Sequence, residues 1–181
     1  PPQVGKGIQF GIGIDITTDS SGQDIIAIGQ LNSNGIVAKV FIYGRSVSFS
    51  GTNKIPTWEL ITTIKPPTNQ GNRRQNMFGF FVALYEDNLI VSDPGLFTTK
   101  DVAGVTIAGF KGLVHQYKRT EGSWSSQPVV TNESTGGYAN DQFGFSLAIS
   151  KDDKDYVIAG RRGSTNASFT PVDSGKAEIF R

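Results

Sequence analysis

The chain contains no cysteine, a single histidine and a single methionine. Without cysteine it forms no disulfide and offers no thiolate to a metal. With His115 alone, neither a nucleophile–base triad nor a histidine metal site assembles from this sequence. A lone histidine in a strand pattern reads as structural. No Gly-x-Ser-x-Gly stretch is present. The Gly5-x-Gly7-x-x-x-Gly11 run leads into a strand, not a helix, so it is no dinucleotide loop. Charge is also scarce: 17 Lys and Arg against 16 Asp and Glu leave a net charge of +1. That gives no electrostatic case for nucleic acid or an anionic membrane. The doublets Arg73-Arg74 and Arg161-Arg162 are too few to line a nucleic-acid groove. No apolar run approaches the roughly 20 residues of a spanning helix. These absences argue against an enzyme and imply no catalytic residue and no cofactor.

What is abundant is glycine, 22 residues, and phenylalanine, 12 residues. Many short strands and turns suit that composition. The stretch 77–95, MFGFFVALYEDNLIVSDPG, organises the rest. Phe80, Val82 and Leu84 fall on one face at period two, and Phe81, Ala83 and Tyr85 on the other. Glu86-Asp87-Asn88 supplies turn chemistry, and Leu89-Ile90-Val91 returns. A hairpin apolar on both faces lies between two layers.

The same pattern is written three times. Phe-Gly pairs begin at 10, 78 and 143, spaced by 68 and 65 residues. Each is followed by an apolar strand, a polar turn and a second strand, 24–29 in the first copy and 155–160 in the third. The run 38–45 aligns with 112–119, and 175–180 begins it again. Trp58 and Trp124, 66 residues apart, each head an apolar strand. A fixed period with four strands per unit marks a propeller or another stacked β-array.

These residues resemble the FG-GAP repeat, the blade of the integrin α-chain β-propeller and its extracellular relatives. Ser92-Asp93-Pro94 sits where the family often has Gly-Ala-Pro. The resemblance covers nearly the whole chain and implies an all-β fold of four-stranded blades. The blades are expected at 8–67, 76–132 and 141–181, with four, four and three strands. Pro1-Pro2 reads as the tail of a preceding blade. Propellers close at four to eight blades. The three units are therefore expected to belong to a larger propeller or assembly, completed by more of the polypeptide or by a neighbouring chain. The family implies a non-catalytic recognition or adhesion module, extracellular or on a cell or virion surface, binding a protein or glycan through inter-strand loops. The alternative is a structural block of an appendage, filament or viral fibre, assembling through open blade faces and strand addition. The inserts 46–54, 96–111 and 161–174 are expected as loops, where binding usually resides.

Many relatives hold calcium in the first turn of a blade. Here Asp19, Ser21 and Asp24 offer oxygens and Gly22 a bend, but Thr17 replaces the first aspartate. The ligand set is incomplete, so no tightly held calcium is expected. The turn at 152–155 carries a lysine, and that at 86–88 is too short. Asn132 and Asn166 fit the N-glycosylation pattern in expected loops. Trp58, Trp124, Tyr43, Tyr117 and Phe180 recur at equivalent positions, which favours packing between units over a sugar-binding surface. In each Phe-Gly pair, phenylalanine is expected to fill the space between units and glycine to let backbones approach.

Overall fold

A computed structural model of the chain describes residues 8–32, 38–67, 77–94, 99–100, 106–107, 112–133, 142–150, 157–161, 164–165, 171–172 and 176–180. The fold is all-β, with no helix among the described residues and every strand pair antiparallel. The first sheet is a four-stranded meander of β1 (Ile8–Thr18), β2 (Asp24–Asn32), β3 (Lys39–Ser50) and β4 (Asn53–Ile64). The second begins with β5 (Val82–Tyr85) and β6 (Asn88–Asp93). A small hairpin follows, β7 (Thr99–Lys100) with β8 (Thr106–Ile107). The sheet resumes with β9 (Leu113–Thr120), whose outer edge takes both β10 (Ser123–Trp124) and β11 (Val130–Glu133). The third sheet contains β12 (Ser146–Ile149) and β13 (Val157–Arg161). A second small hairpin, β14 (Ser164–Thr165) with β15 (Pro171–Val172), precedes its last described strand, β16 (Lys176–Phe180).

The three sheets share one register. Ile14 pairs Ile28, and Gly29 pairs Val40. Val82 pairs Val91, and Ser92 pairs Val114. Leu147 pairs Ala159, and Gly160 pairs Ala177. Ile14, Val82 and Leu147 each stand four residues after the phenylalanine of their Phe-Gly pair, and in each unit the second pairing takes the next residue along the second strand.

The Phe-Gly pair is a corner. Phe80 N–H donates to the Met77 carbonyl at 3.0 Å, and Phe145 N–H to the Gln142 carbonyl at 3.0 Å. Glycine holds the third turn position at a positive φ, 86° at Gly79 and 87° at Gly144; Gly11, inside β1 at its register shift, shares the φ of 87°. A Cβ is strained there, which is why the pair ends in glycine.

The corners of the second and third units seat on the sheets before them. The Gly79 carbonyl lies so close to Gly29 that a Cβ on Gly29 would meet it at 1.9 Å. A Cβ on Gly79 would meet Val40 Cγ2 at 2.9 Å and the Lys39 carbonyl at 3.2 Å. Gly144 repeats this one unit later, against Val114 Cγ2 at 3.0 Å, Ser92 Cβ at 3.1 Å and the Leu113 carbonyl at 3.2 Å. Phe78 and Phe143 are fully buried in the two joints.

Alternation then builds the core. Ile25, Ala27, Val40, Ile42 and Ile64 from one face of the first sheet meet Val82, Leu84, Leu89, Val91 and Tyr117 of the second. Ala83, Ile90 and Val114, on the second sheet's far side, meet Phe143, Leu147, Ile149 and Phe180. The inner edge of β5 is covered by β1. Leu84 N–H donates to Asp15 Oδ2 at 2.7 Å, which spends a backbone donor that would otherwise invite strand pairing.

The insert expected as a loop at 46–54 is instead the extension of β3 and β4 into a long two-stranded ribbon, turning at Gly51. Alternating side chains and cross-strand hydrogen bonds such as Ser46 with Thr57 at 2.7 Å carry the pairing outward. Within the other two inserts the described residues form the small hairpins β7–β8 and β14–β15.

Candidate functional site

Two features stand out, the uncovered face of the first sheet and the turn at Asp19. On the first sheet, Phe10, Ile12, Ile14 and Ile16 of β1 project away from the second sheet and are 43%, 41%, 57% and 56% exposed. Three of their counterparts in the next unit are buried, Phe78 for Phe10, Val82 for Ile14 and Leu84 for Ile16, while Phe80, for Ile12, is half-buried. Across the sheet, Ile28 and Ile26 pair with Ile14 and Ile16, and Tyr43 and Leu60 continue the same face. Phe10, Ile26, Ile28, Tyr43 and Trp58 line an open groove of about 320 Å³. The ribbon carries the face on through Val47 and Phe49, the latter 68% exposed. Continuous exposed apolar surface is uncommon on folded proteins.

The aromatic positions therefore divide. Tyr117 is buried in the first joint, its hydroxyl donating to the Lys65 carbonyl at 3.3 Å, and burial pushes its pKa up. Phe180 packs on Phe143 at 5.6 Å between ring centroids. Trp124 packs against the core, whereas Trp58, at the same step, is 43% exposed.

At the β1–β2 turn, Asp19 Oδ1 accepts hydrogen bonds from Ser21 N–H, Ser21 Oγ and Gln23 N–H at 2.9, 2.7 and 2.8 Å. Its Oδ2 accepts from Arg119 Nη1, which reaches over from β9 of the next unit. Arg119 Nε also donates to the Gly122 carbonyl at 3.2 Å. Burial alone would raise the Asp19 pKa. The hydrogen bonds from Ser21, Gln23 and Arg119 outweigh it and hold the carboxyl below the usual range. Asp24 turns the other way, accepting from Arg45 Nη1 at 2.9 Å and Thr18 Oγ1 at 3.0 Å, and these bonds lower its pKa too.

Asp19, Ser21 and Asp24 thus do not converge on one point. Ser21 Oγ donates to Asp19, and each carboxylate faces its own guanidinium. No group of three His, Cys, Asp or Glu poised for a metal occurs among the described residues. Arg119 stands where a cation would serve the turn, and it joins the turn to the next unit. No local pattern in the turn points to it. Its signal is the recurrence of Tyr-x-Arg at 43–45 and 117–119, with Arg45 opposite Trp58 and Arg119 opposite Trp124.

His115 is buried on β9, its Nδ1 3.0 Å from Thr131 Oγ1 and its ring against Phe78. Asn132, expected in a loop, lies instead on β11 opposite Val114, half-buried with its amide nitrogen enclosed. The second unit's last strand resumes after the break at 125–129 and draws Asn132 into the sheet. Asn166 lies outside the described residues. No helix of the described residues is long and apolar enough to cross a membrane. No protein-family model and no curated protein matches this chain.

Proposed function

We propose that the chain is a run of FG-GAP-like propeller blades, at about 8–67, 76–132 and 141–181, serving as a non-catalytic recognition or adhesion module on a cell or virion surface. Its ligand is a protein or a glycan. The observation that carries the blade reading is the repeated joint, in which Gly79 and Gly144 seat on equivalent residues of successive sheets. A rigid stack of sheets is a platform for projecting elements. The β3–β4 ribbon is one, presenting Val47, Phe49 and Ile55 at 46%, 68% and 45% exposure. Aromatic and aliphatic side chains on a stiff ribbon lose little entropy on binding, which suits recognition.

The test is binding to a glycan array and to a panel of purified extracellular-matrix proteins. Wild type is expected to bind a member of one panel, and Phe49→Ser with Val47→Ser to weaken it at least tenfold. Binding that ignores both substitutions, or none above background, would overturn the recognition reading.

A second reading has its own observation. Among the described residues β16 pairs β13 and no other strand, and the first sheet has an open apolar face. Both features favour a structural block that assembles through faces and strand addition.

A further inference from the structure

We propose that two copies of this chain pair through the free edge of β3, antiparallel and two-fold about Ser48, so that their ribbons merge into one sheet. Beyond Arg45, β3 has lost its inner neighbour. β2 begins at Asp24, and Ile25 with Gly44 is the outermost pair of their ladder. From Ser46 to Ser50, β3 pairs β4 and no other strand among the described residues. Val47, Ser48, Phe49 and Ser50 are all exposed. A two-stranded ribbon is marginal in water, and a further strand steadies it.

The two edges of the ribbon differ. The β4 edge carries Lys54, Pro56 and Glu59, residues of the kind that guard an edge against pairing. The β3 edge, Ser46-Val47-Ser48-Phe49-Ser50, has no charge and no proline. It is also its own complement. Turned antiparallel about Ser48, Val47 meets Phe49 of the second copy and Ser46 meets Ser50. Aliphatic and aromatic side chains are then opposite each other, and no like charges meet.

The backbone agrees with that register. The Arg45 carbonyl points to this edge, where it accepts from Gln23 Nε2 at 3.4 Å. At a period of two, the N–H and C=O of Val47 and Phe49 point the same way. About Ser48 these are the groups that exchange hydrogen bonds, Val47 with Phe49 of the second copy and Phe49 with its Val47. One patch serves both copies, so the contact is isologous and closes at a pair. It needs no ligand, and it holds whether the ribbon binds a protein, a glycan or neither.

The chain has no cysteine, so cross-linking tests the register cleanly. Ser48→Cys places its thiol opposite its own copy, in a non-hydrogen-bonded pair with Cα atoms about 4.5 Å apart. That is within disulfide reach. Ser50→Cys is as exposed, but roughly 13 Å of strand separates it from its own copy. Under mild oxidation Ser48→Cys is expected to form a covalent dimer at least about tenfold faster than Ser50→Cys. In sedimentation, wild type is expected to pass from a single chain to a pair as concentration rises. Ser48→Lys and Ser48→Glu are each expected to stay single, because like charges meet on the axis, and their equimolar mixture to pair again. Phe49→Pro removes one outward N–H, spares the ladder with β4, and is expected to stay single too.

Equal cross-linking of the two cysteine variants overturns the proposal. So does a wild type that stays a single chain at every concentration. Association that survives Ser48→Lys, or a mixture that pairs no better than its parts, also overturns it.

Discussion

Phe10 and Phe78 occupy the same step of two successive units, yet Phe78 is fully buried and Phe10 is 43% exposed. The difference is one of neighbours. Phe78 has a preceding sheet to pack on, and among the described residues Phe10 has none. Truncation should expose the asymmetry. Phe78→Ala is expected to cost about 3–5 kcal/mol, the range for a large buried side chain. Phe10→Ala, measured at low concentration, should cost less than about 1 kcal/mol. Urea denaturation of both variants checks this, and equal losses would contradict it.

Gly29 lies under the Gly79 carbonyl, with room for hydrogen only. Gly29→Ala would place a Cβ 1.9 Å from that oxygen, and backbone on both sides cannot yield cheaply. A loss of about 2 kcal/mol or more is expected, at the upper part of the range for overpacking. The midpoint of urea unfolding reports it. An unchanged midpoint would mean that the two sheets do not approach as described.

The Asp19–Arg119 pair should make stability depend on acid. Asp19 has its folded pKa depressed, so its contribution is fully present above the unfolded value of about 3.9. It is lost as the pH falls through the lower folded value. Wild type is therefore expected to lose stability on acidification below about pH 5 more steeply than Asp19→Asn. Arg119→Ala at neutral pH leaves Asp19 buried without its guanidinium and should cost about 3 kcal/mol. Arg45→Ala removes only the solvent-screened partner of Asp24 and should cost much less. Thermal melts across pH resolve all three.

Calcium should not matter to this turn. Arg119 already satisfies Asp19 Oδ2, and the Asp24 oxygens face Thr18 and Arg45. Added calcium and added chelator are both expected to leave the melting temperature unchanged. A rise with calcium that Asp19→Asn abolishes would contradict the assignment.

The sequence made much of the strand layout legible, because period-two alternation and the Phe-Gly spacing repeat through all three units. It was silent where the repeat is. The insert 46–54 has no counterpart elsewhere in the chain, so nothing showed that it lengthens β3 and β4 into a ribbon. Asn132 was read as part of the link into Phe143, after the apolar strand headed by Trp124, yet that strand runs on to Glu133. Arg119 and Asp19 lie 100 residues apart, beyond any local pattern. The open face on Phe10 was hidden as well. The apolar residues of β1 alternate with Gly11, Gly13 and Asp15, and that alternation does not tell which face a neighbour covers.

The central claim is that one joint is repeated between successive units, and proton–proton contacts test it most directly. In an isotope-labelled sample, the account predicts nuclear Overhauser cross-peaks between Gly29 Hα and Gly79 Hα. It predicts the same between the Ser92 β-protons and Gly144 Hα, which are equivalent positions one unit further on. Both sets present would establish the repeated joint. The absence of either would contradict it.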